Sequence, residues 1–479
     1  MEESLLFYNP WWSDAARIDL DKNVKAVENS SIKWRQEKVV SFDLEKDAVY
    51  TLRGPRQVGK TTLIKNMIRG LLKSGTKPQS IFYYSLDLER KPEDIMRIFQ
   101  QFQEFSNAYK IPRKYVFLDE ITLIEDWQYA LKKIIDLGWG EKTSFLLTGS
   151  STVDLRKGTE RLPGRRGKVY PPDKVLLPMS FREFCDSQGF SLSLPFSHVN
   201  LRDFVFRSQK AYKKISPFKP FYPELQSFFD GYLRTGGFPL AVGSFSDSGE
   251  VTPDILETYS SVIISDFEKL GKNRVTLNQI IRRLYLTYTT PISWQSLGKS
   301  VDVASRNTTK EYVELLADSF LVTILYFLDR KNRQASNKKN KKFYTVDALI
   351  YRLFTSLASP IAGEAMMENL EWIAKNVEGV VLNHLVRTVE TQLTEGFSNL
   401  TNTFYWRSSK NREIDIVVLL EDKEVPIEIK YQDKITPSDY TTLKRVFKKG
   451  IVVTRKDFFI DEKTIGIPAC FFLYLLSGD

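Results

Sequence analysis

Residues 54–61, GPRQVGKT, constrain this chain more than any other stretch. They meet the pattern G-x-x-x-x-G-K-[ST] at each fixed position, between an apolar run, AVYTL, and a helix-length amphipathic segment, TTLIKNMIRGLLKSG. Glycines there let the backbone turn sharply, so successive N–H groups converge as an anion nest at a helix N-terminus. A strand that feeds such a turn belongs to an α/β fold with a parallel sheet covered by helices. Gly54 and Gly59 make the turn, and Pro55, Gln57, Val58 and Thr62 complete the cradle. Arg56 contributes its backbone, with the side chain left to solvent. Lys60 is placed to reach the β- and γ-phosphates, and Thr61 offers its hydroxyl to Mg²⁺. The implied ligands are ATP and Mg²⁺.

Three further strands have the same buried, apolar character: SIFYYSLDL, KYVFLDEI and SFLLTGSS. Ligands of an open parallel sheet bind at the carboxyl ends of its strands. Asp119 and Glu120 stand at one such end, the first as a second metal ligand and the second to orient or deprotonate an attacking water. Thr148, Gly149, Ser150 and Ser151 stand at another, where hydroxyls can sense the γ-phosphate. The loop GTERLPGRRG then supplies Arg161, Arg165 and Arg166 as candidates for a transition-state arginine, since a guanidinium fork meets phosphate oxygens at two points. The spacing does not choose among them.

A chain of 479 residues has room for about three domains. With 42% hydrophobic and 27% charged residues it reads as folded, and its two cysteines and two histidines argue against a zinc site. The start, MEESLLFYNPWW, lacks the basic and apolar pattern of a secretory signal, and the longest apolar runs, SFLVTILYFL and ACFFLYLL, are too short to span a bilayer. A cytoplasmic protein with no membrane partner is expected. The formal net charge of +10 points to a polyanion, above all in RKNRQASNKKNKK, where seven of thirteen residues are basic.

Helical pattern dominates from 225 to 325, and Ser305 or Asn307 caps the helix TTKEYVELLADSFLV. A hairpin follows, expected to carry the basic run at its tip. This is the layout of a winged helix, whose wing lysines, Lys338, Lys339, Lys341 and Lys342, would contact DNA phosphates. Strands return at NTFYWRS, EIDIVVLL, VPIEIKY, GIVVTRKD and ACFFLYLL, with SDYTTLKRVFKK as a helix between them. Glu428 and Lys430 share a strand face, and Asp415 converges on them if it ends the neighbouring strand. Two carboxylates, Asp415 and Glu428, then hold Mg²⁺ while Lys430 stabilises phosphate charge or helps to activate water, as in the PD-(D/E)xK nuclease signature.

In order, GPRQVGKTTL, FLDEITLIEDW, LLTGSS, LPGRRG, LPMSFREF and YLRTGGFP, with NPWW near the start, resemble a prokaryotic family of AAA-type ATPases common in archaea. The resemblance covers nearly the whole chain. It implies an N-terminal segment (1–45), an AAA-type core (46–215), a helical lid (216–272), a winged helix (273–350) and a restriction-endonuclease-like α/β domain (351–479). Arg234, Gly236 and Gly237 would then sit in the lid. Related nuclease-like domains carry an acid on the helix before the sheet; Asn383 stands where it is expected, with Glu378 or His384 as substitutes. Two functions compete. One is a Mg²⁺-dependent ATPase that engages DNA through the winged helix and C-terminal domain. The other is a slow ATP-dependent switch that binds protein partners and cuts nothing; a homo-oligomer would let an arginine act in trans.

Overall fold

Strand β1 (Ala48–Arg53) runs into the phosphate-loop sequence and is buried along its whole length. So are β2 (Ile81–Ser85), β3 (Lys114–Asp119) and β4 (Thr143–Thr148), the signature of strands covered on both faces. A short fifth strand, β5 (Asp173–Val175), was not legible, because three half-buried residues carry no period. The sheet order is β2-β3-β4-β1-β5 and every pairing is parallel. Because β4 lies between β1 and β3, the carboxyl ends of these strands bring Gly54, Thr148 and Asp119 side by side. Helices Lys60–Lys73, Pro92–Ala108 and Trp127–Asp136 cover the sheet with Leu63, Ile64, Phe99, Phe102 and Leu131. The computed structural model describes residues 3–149, 152–192, 200–299, 305–359, 367–390, 396–421 and 423–476.

The sequence NPWW has a structural explanation. Strand β2 is the edge of the sheet, and edge strands expose unpaired backbone groups. The Asn9 side chain donates to the Tyr83 carbonyl at 3.0 Å and accepts from its N–H at 2.7 Å. The indole N–H groups of Trp11 and Trp12 both donate to the Ile81 carbonyl, at 3.1 and 2.8 Å. Side chains thus take the place of a sixth strand.

The chain divides at Leu177/Pro178 into two compact units. The second unit holds an eight-stranded sheet of order β12-β13-β11-β10-β9-β8-β6-β7. These are β6 (Val322–Asp329), β7 (Gln334–Thr345), β8 (Thr403–Arg407), β9 (Glu413–Leu420), β10 (Lys423–Lys430), β11 (Gly450–Thr454), β12 (Phe459–Asp461) and β13 (Thr464–Pro468). Helices Arg274–Leu286, Trp294–Gly298 and Arg306–Asp318 precede the β6–β7 hairpin, and Ser305, not Asn307, caps the last by accepting from the Thr308 N–H at 3.2 Å. The hairpin is not separate from the C-terminal strands: Phe327 of β6 pairs with Tyr405 of β8, so both belong to one sheet.

Several expectations are corrected or refined here. ACFFLYLL is not a strand, because Ala469–Leu475 forms a helix buried on all sides, and an all-apolar run has no period to tell the two apart. SDYTTLKRVFKK is helical as expected but of mixed winding, a 3-10 turn at Pro437–Tyr440 running through 441–442 into a π-helix at Leu443–Phe447. Only part of the basic run is at the hairpin tip: Arg330, Lys331 and Arg333 lie in the turn 330–333, whereas Lys338, Lys339, Lys341 and Lys342 lie along β7.

YLRTGGFP belongs to the second unit as a packing motif. Gly236 has φ +59, and a Cβ there would fall 1.7 Å from the Asp347 Oδ1. The Gly237 N–H donates to Asp347 at 2.9 Å, and its carbonyl accepts from the Met179 N–H at 2.8 Å. Asp347 also caps the helix Ala348–Ala358 through the Leu349 N–H. One buried carboxyl therefore joins TGGFP to the helix that follows the hairpin, and Met179 bonds the same glycine.

Candidate functional site

The phosphate loop is built as its spacing requires. Gly54, Gln57 and Gly59 have φ of +145, +60 and +98. A Cβ on Gly54 would meet the Leu176 carbonyl oxygen at 2.1 Å, and one on Gly59 would meet Gln36 Nε2 at 2.2 Å. Gln36, which no motif signalled, supports the loop by donating to the Val58 carbonyl at 3.0 Å. Pro55 and Val58 are buried, Gln57 is exposed, Thr62 is half-buried at the helix start, and Arg56 is half-buried where a solvated side chain was expected. Lys60 is buried and its ammonium donates to the Gly54 and Pro55 carbonyls, each at 3.0 Å.

Asp119 gathers donors from three strands and the loop helix. The Thr61 hydroxyl donates to its Oδ2 at 2.7 Å, the Tyr83 hydroxyl to the same oxygen at 3.2 Å, and the Glu120 N–H to Oδ1 at 3.2 Å. The Thr148 hydroxyl also donates to Oδ1. Thr148 is fully buried, so it orients Asp119 where a phosphate sensor was expected. Ser150 and Ser151 lie outside the described residues. Glu120 sits in the left-handed region, φ 56 and ψ 34, and its Oε2 is buried with no hydrogen-bond partner. Thr61 and Asp119 side by side are the oxygen donors a hard divalent cation takes, so the residues fit Mg²⁺. Lys65 lies 3.4 Å from the Tyr83 ring centre and 3.3 Å from Asp21. Burial pushes its ammonium below the ordinary lysine range, against the pull of Asp21 and Asp119.

The arginines separate. Arg165 is bound by Asp136 at 2.7 Å, at the end of a helix that runs from the carboxyl edge of the sheet back to the start of β4. Arg166 is bound by Asp173 at 2.8 Å and by the Val49 carbonyl near the start of β1. Both therefore lie away from the phosphate loop, and Arg165 is not brought to it within this chain. Arg161 stays on the carboxyl side, 3.5 Å from Asp126 and exposed. It lines a cavity of about 450 Å³ with Thr122, Asp126, Trp127 and Asp154.

In the second unit β9 and β10 are antiparallel, with Ile427 opposite Ile416, so the register sets Glu428 across from Asp415 as the D…E-x-K spacing anticipates. Lys430 meets Glu428 at 2.7 Å, and Asp415 accepts from the Ile429 N–H at 2.8 Å. The helix acid is Glu378, on Leu370–Val389. Asn383 instead bonds Thr323, Thr345 and Gly379, and His384 accepts from the Phe181 N–H. Lys342 enters from β7: its ammonium is 2.6 Å from Glu413, 3.3 Å from Glu378 and 3.8 Å from Asp415. Burial, with the Asp415 charge, pushes the Glu428 carboxyl up to about 8. Burial likewise pushes Glu378 up to about 7, although Lys342 opposes it. Asp415 and Glu428, the pair expected to hold Mg²⁺, meet Lys342, Lys430 and the Ile429 N–H in this structure.

Residues 46–185 match the family model described as AAA domain. This segment carries the AAA-type P-loop fold with its parallel five-stranded sheet. Residues 226–362 and 375–470 match two models described as domains of unknown function, DUF8612 and DUF4143. No curated protein matches the chain. Among solved structures, a Walker-type ATPase of Pyrococcus abyssi is 12% identical, with a TM-score of 0.38 over 71% of this chain and 95% of that one. The ORC2 protein of Aeropyrum pernix, in ADPNP–ADP complexes, is 14% identical, with a TM-score of 0.36 over 66% and 88%. Cdc6p from Pyrobaculum aerophilum is 12% identical, with a TM-score of 0.27 over 75% and 97%.

Within the ATPase domain, Thr61, Asp119, Glu120 and Thr148 come together as a strand-end reading anticipates. Tyr83, Lys65 and Gln36 were missed, because each acts through a neighbour that sequence distance hides. Among the described residues no helix is long and apolar enough to cross a membrane.

Proposed function

We propose that the ATPase domain binds ATP with Mg²⁺ and hydrolyses it, and that this cycle governs a second unit that engages DNA. The observation that carries the first part is the Asp119 cluster beside a buried, unpartnered Glu120 oxygen. The loop N–H groups and Lys60 would bind the phosphates, and Thr61 and Asp119 would hold Mg²⁺, which when bound would supply positive charge to the phosphate oxygens. Glu120 Oε2 is the acceptor left to orient the attacking water and take its proton. Arg161 is the arginine on the correct side of the sheet; Arg165 contributes only from a second copy. Single-turnover hydrolysis tests this reading: Lys60→Ala and Glu120→Gln should both lose it, and wild-type turnover in Glu120→Gln removes Glu120 as the base.

DNA engagement is supported by the net charge of +10 and by a three-helix, hairpin order with an Ile292–Lys341 bridge, which is the layout of a winged helix. The contacts it offers are Lys331, Lys338 and Lys339, the exposed lysines of the hairpin, because Lys341 and Lys342 are buried. The engagement of the carboxylates near Asp415 by lysines favours the reading in which the second unit binds without cutting.

A further inference from the structure

Four carboxylates, Glu378, Glu413, Asp415 and Glu428, converge in the second unit, and two lysines meet them. Lys430 is the lysine that the D…E-x-K spacing supplies, and it is partly exposed beside Glu428. Lys342 is outside that motif. It arrives from β7, is 1% exposed, and touches acids from a helix and from β9 at once. The 2.6 Å contact with Glu413 is a short charge-assisted pairing, the 3.3 Å bond to Glu378 is longer and weaker, and Asp415 stands 3.8 Å away on the same ammonium. The Lys342 ammonium also lies 5.7 Å from the Tyr405 ring centre, and the Tyr405 hydroxyl donates to the Asn340 carbonyl at 2.7 Å, so the strand that carries the lysine is itself anchored.

A divalent cation uses the same oxygens, at about 2.0–2.6 Å. It would share those carboxylates with an ammonium already in contact with them, so the two like charges compete for the same oxygens and repel each other. Lys342 is 1% exposed, and its departure would take the cation from Glu413 and Glu378 beside a buried Tyr344, whose hydroxyl donates to Glu378. We infer that Lys342 is the built-in counter-cation of this carboxylate cluster, occupying the place of a divalent metal, so that the second unit keeps a nuclease-like layout without metal-dependent cleavage. Lys342 also ties β7, β9 and the helix Leu370–Val389 into one body, which is a function for the cluster in its own right.

The inference is independent of the ATPase reading and is tested without nucleotide. Mn²⁺ is titrated into full-length protein and the free ion is followed by electron paramagnetic resonance, for wild type, Asp415→Asn, Lys342→Met and the double variant. Wild type and Asp415→Asn should give the same isotherm. Lys342→Met should gain one equivalent of Mn²⁺, at least ten-fold tighter than any wild-type site, and the double variant should lose it. An equivalent bound by wild type and absent from Asp415→Asn overturns the inference, as does a folded Lys342→Met, checked by circular dichroism, that gains none. Should Lys342→Met not fold, the comparison of wild type with Asp415→Asn still decides. Mn²⁺-dependent nicking of supercoiled DNA by wild type but not by Asp415→Asn would also refute it.

Discussion

Asp119 has more donors than a strand-end acid needs for solvation, and each has a different strand or helix behind it. A carboxylate held by so many partners keeps one orientation, which is what a metal ligand requires. Losing one such bond to a charged group costs about 1.5–3 kcal/mol. Thr148→Val should therefore lower kcat by about 10- to 100-fold with folding intact, whereas Tyr83→Phe, whose bond is longer, should raise the Mg²⁺ requirement with a smaller loss. Titrating Mg²⁺ in a steady-state assay separates the two. Glu120→Gln should cut the single-turnover rate by about 10²- to 10⁴-fold while ATP binding stays, since a positioned base contributes that much. Asp119 and Glu120 were legible because a buried strand ending in acids has few other meanings. Tyr83 was not, since a tyrosine in an apolar run reads as core until the neighbouring strand is known.

At the level of elements, side chains complete what the backbone leaves open. Asn9 satisfies two buried backbone groups of β2, and leaving such groups unpaired costs about 1–3 kcal/mol each. Asn9→Ala should lower unfolding free energy by about 2 kcal/mol or more, with a matching fall in the urea midpoint of the first unit's transition. Asp347 plays the corresponding part in the second unit, and burial pushes its carboxyl up to about 6 against the Gly237 and Leu349 N–H groups. The native carboxyl thus holds its proton more tightly than the unfolded one. Its stabilising contribution is complete below about pH 4 and is lost as pH rises through about 6. Compared with Asp347→Asn, wild type should lose roughly 2–3 kcal/mol of stability across that window, read from urea unfolding at pH 4 and pH 7. NPWW and TGGFP could be quoted from the sequence, but not explained, because their partners lie far along the chain in strands and helices not yet assembled. ACFFLYLL was misassigned for the opposite reason: it is buried on every side, and uniform burial erases the period.

For the whole molecule, the exposed hairpin lysines set the expected strength of DNA binding. Each phosphate contact contributes a slope of about −0.9 in log K against log salt, so neutralising Lys331, Lys338 and Lys339 together should flatten the slope by about 2.7. Neutralising Lys341 should lower stability and leave the slope alone, because its ammonium is spent on the Asn337 and Lys339 carbonyls. The sequence by itself determined the parallel sheet, the phosphate loop, the acids at its edge and the D…E-x-K strand pair. Each of these is a local pattern, a short run whose spacing alone dictates which way side chains point. Only the tertiary structure decided the division at 177/178, the joining of the hairpin to the C-terminal strands, the side on which each arginine lies, and the seating of Lys342 among the acids. A lysine in a basic run looks solvated by composition. It becomes a buried counter-ion only when strands and a helix some 30 to 70 residues apart fold their charges onto it.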